Sequence, residues 1–339
     1  MGVADVPDPE PGPDDVTVAV CASGINRLDL FVRQGLSGPG VRQPRRLPHV
    51  MGAEGAGIVL EVGAGAQTDL KPGDAVIIFP GVSCGHCRYC RRGQESRCAD
   101  YAILGEDLWG VQSERVALSA RSLLRVPEHL SLNEAAAVPV NYTTAWTMLV
   151  TAGRLKVGER VLVVGGSGGV SIAAMQIAAA AGAEVWTTTR DAAKAAALKE
   201  LPYVHHVVDG SHPGWSNTVA NSTLDEGMDV VVDSVGGPTW RDSIRSLAPG
   251  GRMLVCGATG GDTPDISIRE LYQSHRQIIG APFGGWNDFR EVVSWLHRSG
   301  TKPLLHAVLP IHDVTEAHRM LETQEQVGKV VLEVSKKGN

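Results

Sequence analysis

The sequence predicts an α/β protein of two domains, a small antiparallel β domain and a doubly wound, six-stranded parallel sheet. Three observations carry that prediction. A strand, a glycine-dense turn, a helix and a second strand follow one another between Glu159 and Lys194. Short apolar runs at 204–208, 229–235, 251–257 and 277–281 then recur, mostly with helical stretches between them, as expected of strands buried on both faces of a parallel sheet. Residues 16–22 instead alternate apolar with small polar positions, and glycines punctuate a β pattern over 49–66, the habit of antiparallel strands.

A chain of 339 residues can bury a large core in two domains. Hydrophobic content of 43%, charge of 20% and mean hydropathy of −0.02 describe an ordinary globular composition. A net charge of −6 argues against a nucleic-acid footprint. The arginine clusters Arg42, Arg45, Arg46 and Arg88, Arg91, Arg92 then read as solvated loop faces. The acidic, proline-rich MGVADVPDPEPGPDD is not a signal peptide. The uncharged window between Arg160 and Glu184 holds five glycines, two serines and a glutamine, which fits a turn better than a membrane span. The expectation is a cytoplasmic protein that meets a small-molecule substrate and neither nucleic acid nor membrane.

Taken in order, VTVAVCA (16–22) reads as a strand, and GINRLDLFVRQG (24–35) as a turn entering a short helix. After a Pro/Gly/Arg loop, HVMGAEGAGIVLEVGAGA (49–66) and KPGDAVIIFP (71–80) supply further strands and turns. The next segment contains Cys84, Cys87, Cys90 and Cys98 at spacing C-x2-C-x2-C-x7-C. Four thiolates at these intervals close a tetrahedron around Zn²⁺ and leave no open coordination position, which marks a structural metal site. Disulfides are the competing reading, disfavoured by the x2 spacings and a cytosolic setting. Cys21 and Cys256 stand apart as small buried hydrophobes. SLNEAAAVPVNYTTAWTMLV (131–150) is helical, and residues 302–334 return to strand, helix and strand.

The stretch at 159–194 carries the first functional reading. Val161–Val164 form the buried strand, Gly165, Gly166, Ser167, Gly168 and Gly169 the turn, and Val170, Ala174, Ile177 and Ala181 a helix face. Such a unit seats a dinucleotide pyrophosphate on a helix N-terminus: missing β-carbons let the backbone approach, and its N–H groups meet the negative charge. Ser171 stands where the third glycine of G-x-G-x-x-G is expected, and a purely structural glycine turn is the bland alternative. After the second strand an NAD site places an acidic residue for the ribose hydroxyls. Thr188, Thr189 and Arg190 stand there instead, with Lys194 one helical turn on. Hydroxyls and a guanidinium suit a 2′-phosphate and favour NADP(H) over NAD(H), although Arg190 and Asp191 also read as a helix cap.

At this point the chain resembles the medium-chain dehydrogenase/reductase superfamily, which includes zinc-type alcohol dehydrogenases and quinone oxidoreductases. The residues carrying the likeness are MGAEGAG (51–57), the four-cysteine segment, TTAW (143–146), VLVVGGSGGVS (161–171), DSVGG (233–237), LAPGGRMLVCG (247–257), GAPFGG (280–285) and VGKVVL (327–332). The resemblance implies a GroES-like β domain over 1–140 and 288–339 with a structural zinc lobe at 84–98. It also implies a Rossmann domain over 141–287 and a homodimer or homotetramer. Cofactor contacts are expected from Thr144, from Gly166, Gly168, Gly169 and Val170 at the pyrophosphate, and from Thr189, Arg190 and Lys194 at the ribose end. Val235, Gly257 and Phe283 are expected on the nicotinamide side.

The departure from that family lies at its catalytic metal. The alcohol dehydrogenases hold a second zinc with a Cys, a His and a Cys, which fall at Asn26, at Ala53 and near Val140. None of the three is a ligand here, whereas Glu54, Asp29 and His49 remain nearby, His49 as the one rescue ligand to weigh. The G-[VI]-N segment is instead that of quinone and enone reductases. Their tyrosines fall near Phe31 and Ser37, so Asn26 and Tyr142 are left as catalytic candidates, Tyr142 with domain-junction packing as its alternative. The expected activity is NADP(H)-dependent reduction of a conjugated carbonyl or quinone without a catalytic zinc. Its rivals are an alcohol dehydrogenase with an unconventional metal site and a catalytically idle nucleotide-binding protein.

Overall fold

The computed structural model describes residues 1–35 and 47–335. Ser37 and the arginines Arg42, Arg45 and Arg46 lie outside the described residues. The chain divides into two units, Met1–Asn141 with Gly285–Asn339, and Tyr142–Gly284.

In the first unit, β1 (Asp15–Gly24) buries Val16, Val18 and Val20 completely, as its alternation predicts. It is followed by α1 (Arg27–Gln34) and β2 (Glu54–Val62). Two register shifts against β2, at Thr17/Val18 and Val20/Ala22, let the last five residues of β1 all be buried. Gly57 of β2 permits the close pairing, since a β-carbon there would stand 2.0 Å from the Ala19 carbonyl oxygen. Then come β3 (Ala75–Ile78), β4 (Gly81–Val82), β5 (Ala102–Ile103), β6 (Arg115–Ser119), β7 (Leu123–Arg125) and α2 (Leu132–Ala136). The helix α3 (Pro139–Trp146) leads into a turn of π-helix (Thr147–Ala152).

The second unit contains β8 (Arg160–Val164), α4 (Gly169–Ala180), β9 (Glu184–Thr189), α5 (Ala192–Lys199), β10 (His206–Asp209), α6 (Ser216–Ser222), β11 (Met228–Asp233), α7 (Trp240–Arg245), β12 (Leu247–Val255), α8 (Ile268–Gln273) and β13 (Gln277–Gly280). The strands form one sheet in the order β10-β9-β8-β11-β12-β13, every neighbouring pair parallel. This is the doubly wound arrangement expected from the sequence. The alanine-rich α4 is buried from Ser171 through Ala178 because small side chains let a helix lie close against the sheet. One boundary differs: β12 starts at Leu247, ahead of the 251–257 run. Register shifts against β11 between Met228 and Val230 absorb the LAPGG segment, with Gly250 at φ 78°.

The chain returns to the first unit through α9 (Trp286–Ser299), β14 (Leu305–Pro310), α10 (Val314–Glu322) and β15 (Lys329–Glu333). Its seven-stranded sheet has the order β14-β15-β1-β2-β3-β7, with β6 also paired to β1. Ile25, Leu30, Val314, Ala317, Leu321, Val330 and Leu332 form a core under the end of β1. Among the described residues no helix is long and apolar enough to cross a membrane.

Candidate functional site

The four cysteines come together in the first unit. Their sulfurs all lie within 4.8 Å of one another, with Cys84–Cys90 at 3.9 Å, Cys87–Cys90 at 3.5 Å and Cys84–Cys98 at 3.5 Å. A tetrahedron of Zn–S bonds asks for sulfur separations of about 3.8 Å, whereas a disulfide asks for about 2.05 Å. Backbone N–H groups already point at the sulfurs: Cys87 N–H donates to Cys84 Sγ at 3.4 Å and Cys90 N–H to Cys87 Sγ at 3.5 Å. Chiefly through the Cys90 N–H, the Cys87 thiol is brought down to about 7. The donor set, its spacing and its amide environment fit a structural zinc with all four positions taken by protein.

The glycine turn after β8 is built for close approach. Gly165 adopts φ 74°, and its N–H donates to Thr188 Oγ1 at 3.0 Å while Gly166 N–H donates to the Thr188 carbonyl at 2.9 Å. Ser171, in place of a third glycine, donates from Oγ to the Gly165 carbonyl at 2.8 Å, so the exchange ties the turn down. Gly168 is the N-cap of α4 and offers no side-chain cap, so the first N–H groups of the helix, at Gly169 and Val170, are left for a ligand. Lys194 reaches back from α5, with Nζ 3.5 Å from Ser167 Oγ, and brings a cation to the turn. Asp191 accepts the Lys194 N–H at 3.0 Å and is thereby spent as the N-cap of α5. Arg190 beside it is exposed, and Thr189 is buried at the end of β9.

The other expected cofactor residues share the same sheet end. Val235 follows β11, Gly257 follows β12 and half-buried Phe283 follows β13, so all three lie past the carboxyl ends of parallel strands, where such sheets bind ligands. A cavity of about 350 Å³ lined by Gly236, Trp240, Val255, Gly257 and Ala258 opens there. The turn at Val235 is set by buried Asp233, which accepts from the N–H groups of Val235 and Gly236 and from Thr239 and Ser243 Oγ. Thr144 lies buried on α3.

In the first unit, Asn26 caps the entrance of α1 and is 7% exposed. Its Nδ2 donates to Glu54 Oε1 at 3.0 Å, while Glu54 Oε2 accepts the Val140 N–H at 2.6 Å. Two of the three positions expected at the second zinc of the alcohol dehydrogenases, Asn26 and Val140, therefore meet on Glu54. The Glu54 carboxylate is fully buried and engaged by Lys329 Nζ at 2.5 Å. Asp29 accepts the Asn26 and Gly52 N–H groups at 2.7 and 3.2 Å, and burial pushes its carboxyl up to about 6 against those bonds. His49 Nε2 lies 3.0 Å from the Gly105 carbonyl, and Ala53 is 1% exposed. Among the described residues the four cysteines are the only group arranged to hold a metal ion.

Tyr142 stands on α3. It is 2% exposed, donates its hydroxyl to Gln176 Oε1, and burial pushes its phenol well above the usual range. A phenol so placed holds its proton more tightly than one in water. Phe31 lies half-buried on α1 and carries no hydroxyl. Lys329, which the sequence reading does not single out, joins the buried Asn26 and Glu54. A lone lysine heading the apolar run Val330, Val331, Leu332 was the available signal.

Comparison with known proteins accords with this geometry. Residues 12–128 match the model of the alcohol dehydrogenase GroES-like domain, and residues 169–298 that of the zinc-binding dehydrogenases. The chain is 32% identical over 333 residues to acryloyl-coenzyme A reductase of Metallosphaera sedula, covering 97% of this chain and 95% of that protein. Among solved structures, an NAD-dependent alcohol dehydrogenase superposes with a TM-score of 0.92 at 37% identity, over 98% of this chain and 96% of the other. A 2-octenoyl-CoA carboxylase reductase in complex with NADP and 2-octenoyl-CoA superposes with a TM-score of 0.86 at 26% identity, over 98% and 82%. The chain belongs to the medium-chain dehydrogenase/reductase superfamily and is an oxidoreductase.

Proposed function

We propose that this oxidoreductase uses NADP(H) to reduce a conjugated carbonyl compound, an enone or enoyl thioester, or a quinone, without a catalytic zinc. The observation that carries the reading is the meeting of Asn26 and Val140 on Glu54, with Ala53 next to it in the chain: an amide, a methyl group and a backbone N–H fall at the positions where the alcohol dehydrogenases have a thiolate, an imidazole and a thiolate. A simple alcohol loses its proton readily only with a Lewis acid worth several kcal/mol. A conjugated acceptor asks for less, because the charge delocalises onto an oxygen that hydrogen bonds can stabilise. The acryloyl-coenzyme A reductase and the 2-octenoyl-CoA carboxylase reductase named above support this substrate class.

The residues present fit the cofactor. A β-carbon on Gly166 would fall 2.1 Å from Thr187 Oγ1, so this turn tolerates only bare backbone, as a pyrophosphate seat requires. Bound NADP(H) supplies the hydride, delivered to the β-carbon of the acceptor. Gly166, Gly168, Gly169 and Val170 hold the pyrophosphate; Thr189, Arg190 and Lys194 hold the phosphorylated ribose. Val235, Gly257, Phe283 and Thr144 bound the nicotinamide. Asn26 donates an amide N–H to the acceptor oxygen, and water supplies the proton. The test is a panel of enones, a 2-enoyl thioester, quinones, aldehydes and primary alcohols, assayed with NADPH or NADH, or with NADP⁺ or NAD⁺ for the alcohols, with and without chelator. Chelator-insensitive enone or quinone turnover with NADPH is expected; fast, chelator-sensitive alcohol oxidation would overturn the reading.

A further inference from the structure

The buried group around Asn26 contains more charge than its packing needs. Lys329 is 5% exposed at the head of β15, Glu54 is 0% exposed, and Asn26 is 7% exposed. Lys329 Nζ donates to Asn26 Oδ1 at 2.6 Å as well as to Glu54 Oε1 at 2.5 Å. A buried ion pair is a poor source of stability, since apolar side chains of the same volume commonly serve as well or better. Its effect on Asn26 is specific. The ammonium takes the amide oxygen and the carboxylate takes one amide hydrogen, so the reversed amide would set NH₂ against NH₃⁺ and oxygen against carboxylate. The ammonium also draws electron density through the amide and makes its N–H groups stronger donors. Among the described residues Nδ2 donates to one acceptor, Glu54, which leaves its second hydrogen for a ligand.

We infer that Lys329 is a positioning residue for the reaction: paired with Glu54, it locks and polarises the Asn26 amide so that the remaining N–H stabilises the oxygen of the acceptor. This rests on the reading of Asn26 given above. It assigns to a lysine far along the chain part of the electrostatic role that a metal plays in the alcohol dehydrogenases. The bland reading is a staple joining the ends of β1, β2 and β15, and the two differ in what they do to turnover.

The experiment uses the full-length enzyme. Lys329→Met/Glu54→Gln removes both charges together and leaves no lone buried ion. Lys329→Gln keeps a hydrogen-bond donor and loses the charge. NADPH affinity, read from nicotinamide fluorescence, should stay close to wild type in both; melting temperature should stay close to wild type in the paired variant and fall in Lys329→Gln, which leaves Glu54 a lone buried carboxylate. With a 2-enoyl thioester or a quinone, kcat should fall by about tenfold or more with little change in KM. Adding either set of substitutions to Asn26→Ala should bring no further loss, because a residue acting through Asn26 has nothing left to act on. Wild-type kcat in folded Lys329→Gln, or losses that multiply with Asn26→Ala, would overturn the inference. Its failure is separable from that of the proposed function: a wild type that turns over alcohols and no conjugated acceptor defeats the latter, whereas acceptor reduction indifferent to Lys329 defeats only the former.

Discussion

His318 should make the first unit acid-labile, and its replacement should remove that lability. The residue sits on α10 with 0% exposure, and neither Nδ1 nor Nε2 finds a hydrogen-bond partner. Burial, aided by Arg33 of α1 and opposed by Glu322 of α10, lowers its imidazole from 6.5 to about 4. Arg33 and Glu322 are themselves an ion pair. A depressed pKa means that between pH 6.5 and 4 the unfolded chain binds a proton that the native one refuses. The stabilisation from keeping the ring neutral is therefore complete above pH 6.5 and is lost as the pH falls toward 4. From pH 7.5 to 4.5 the loss integrates to about 2–3 kcal/mol. For a cooperative unit of about 200 residues that is roughly 5–10 °C in melting temperature. His318→Leu has nothing to protonate and also removes two unsatisfied buried nitrogens. Its advantage over wild type in calorimetric scans should therefore widen by that amount as the pH drops. Parallel curves for the two proteins across this range would refute the buried-neutral account of His318.

Three further outcomes follow from the site geometry. Purified protein should contain about one zinc per chain; Cys87→Ser should lower metal content and lobe stability before it alters hydride chemistry, and a second zinc per chain would contradict the metal-free reading of Asn26. Arg190→Ala should weaken NADPH binding by roughly 10- to 100-fold, the equivalent of a charge-assisted contact to phosphate, and leave NADH binding nearly unchanged in fluorescence titrations. Gly166→Ala should cost about 1–3 kcal/mol in urea denaturation and weaken NADPH binding further. Its β-carbon would meet Thr187 Oγ1 at 2.1 Å, on a fully buried side chain already bonded to the Val163 carbonyl.

Much of this protein was legible along the chain wherever the chemistry is local. The C-x2-C-x2-C-x7-C interval confines four sulfurs to one short segment, so the metal cluster follows from spacing. The glycine turn is likewise a matter of neighbours, since a strand, a turn and a helix in sequence leave N–H groups at the helix start whatever surrounds them. Apolar runs sufficed for six parallel strands, because strands covered on both faces have no polar side to show. What tertiary structure alone decided is where distant side chains meet. Lys329 and Asn26 are 303 positions apart, and nothing local brings an ammonium to that amide; only the pairing of β15 beside β1, after the bulges in β1, does so. Tyr142 finds its hydrogen-bond partner Gln176 only through the packing of α3 and α4. Lys194 reaches Ser167 because α5 runs back from the end of β9, next to β8. Sequence pattern reports which residues prefer to be buried, whereas the direction of a buried polar side chain is set by whichever partner the fold presents to it.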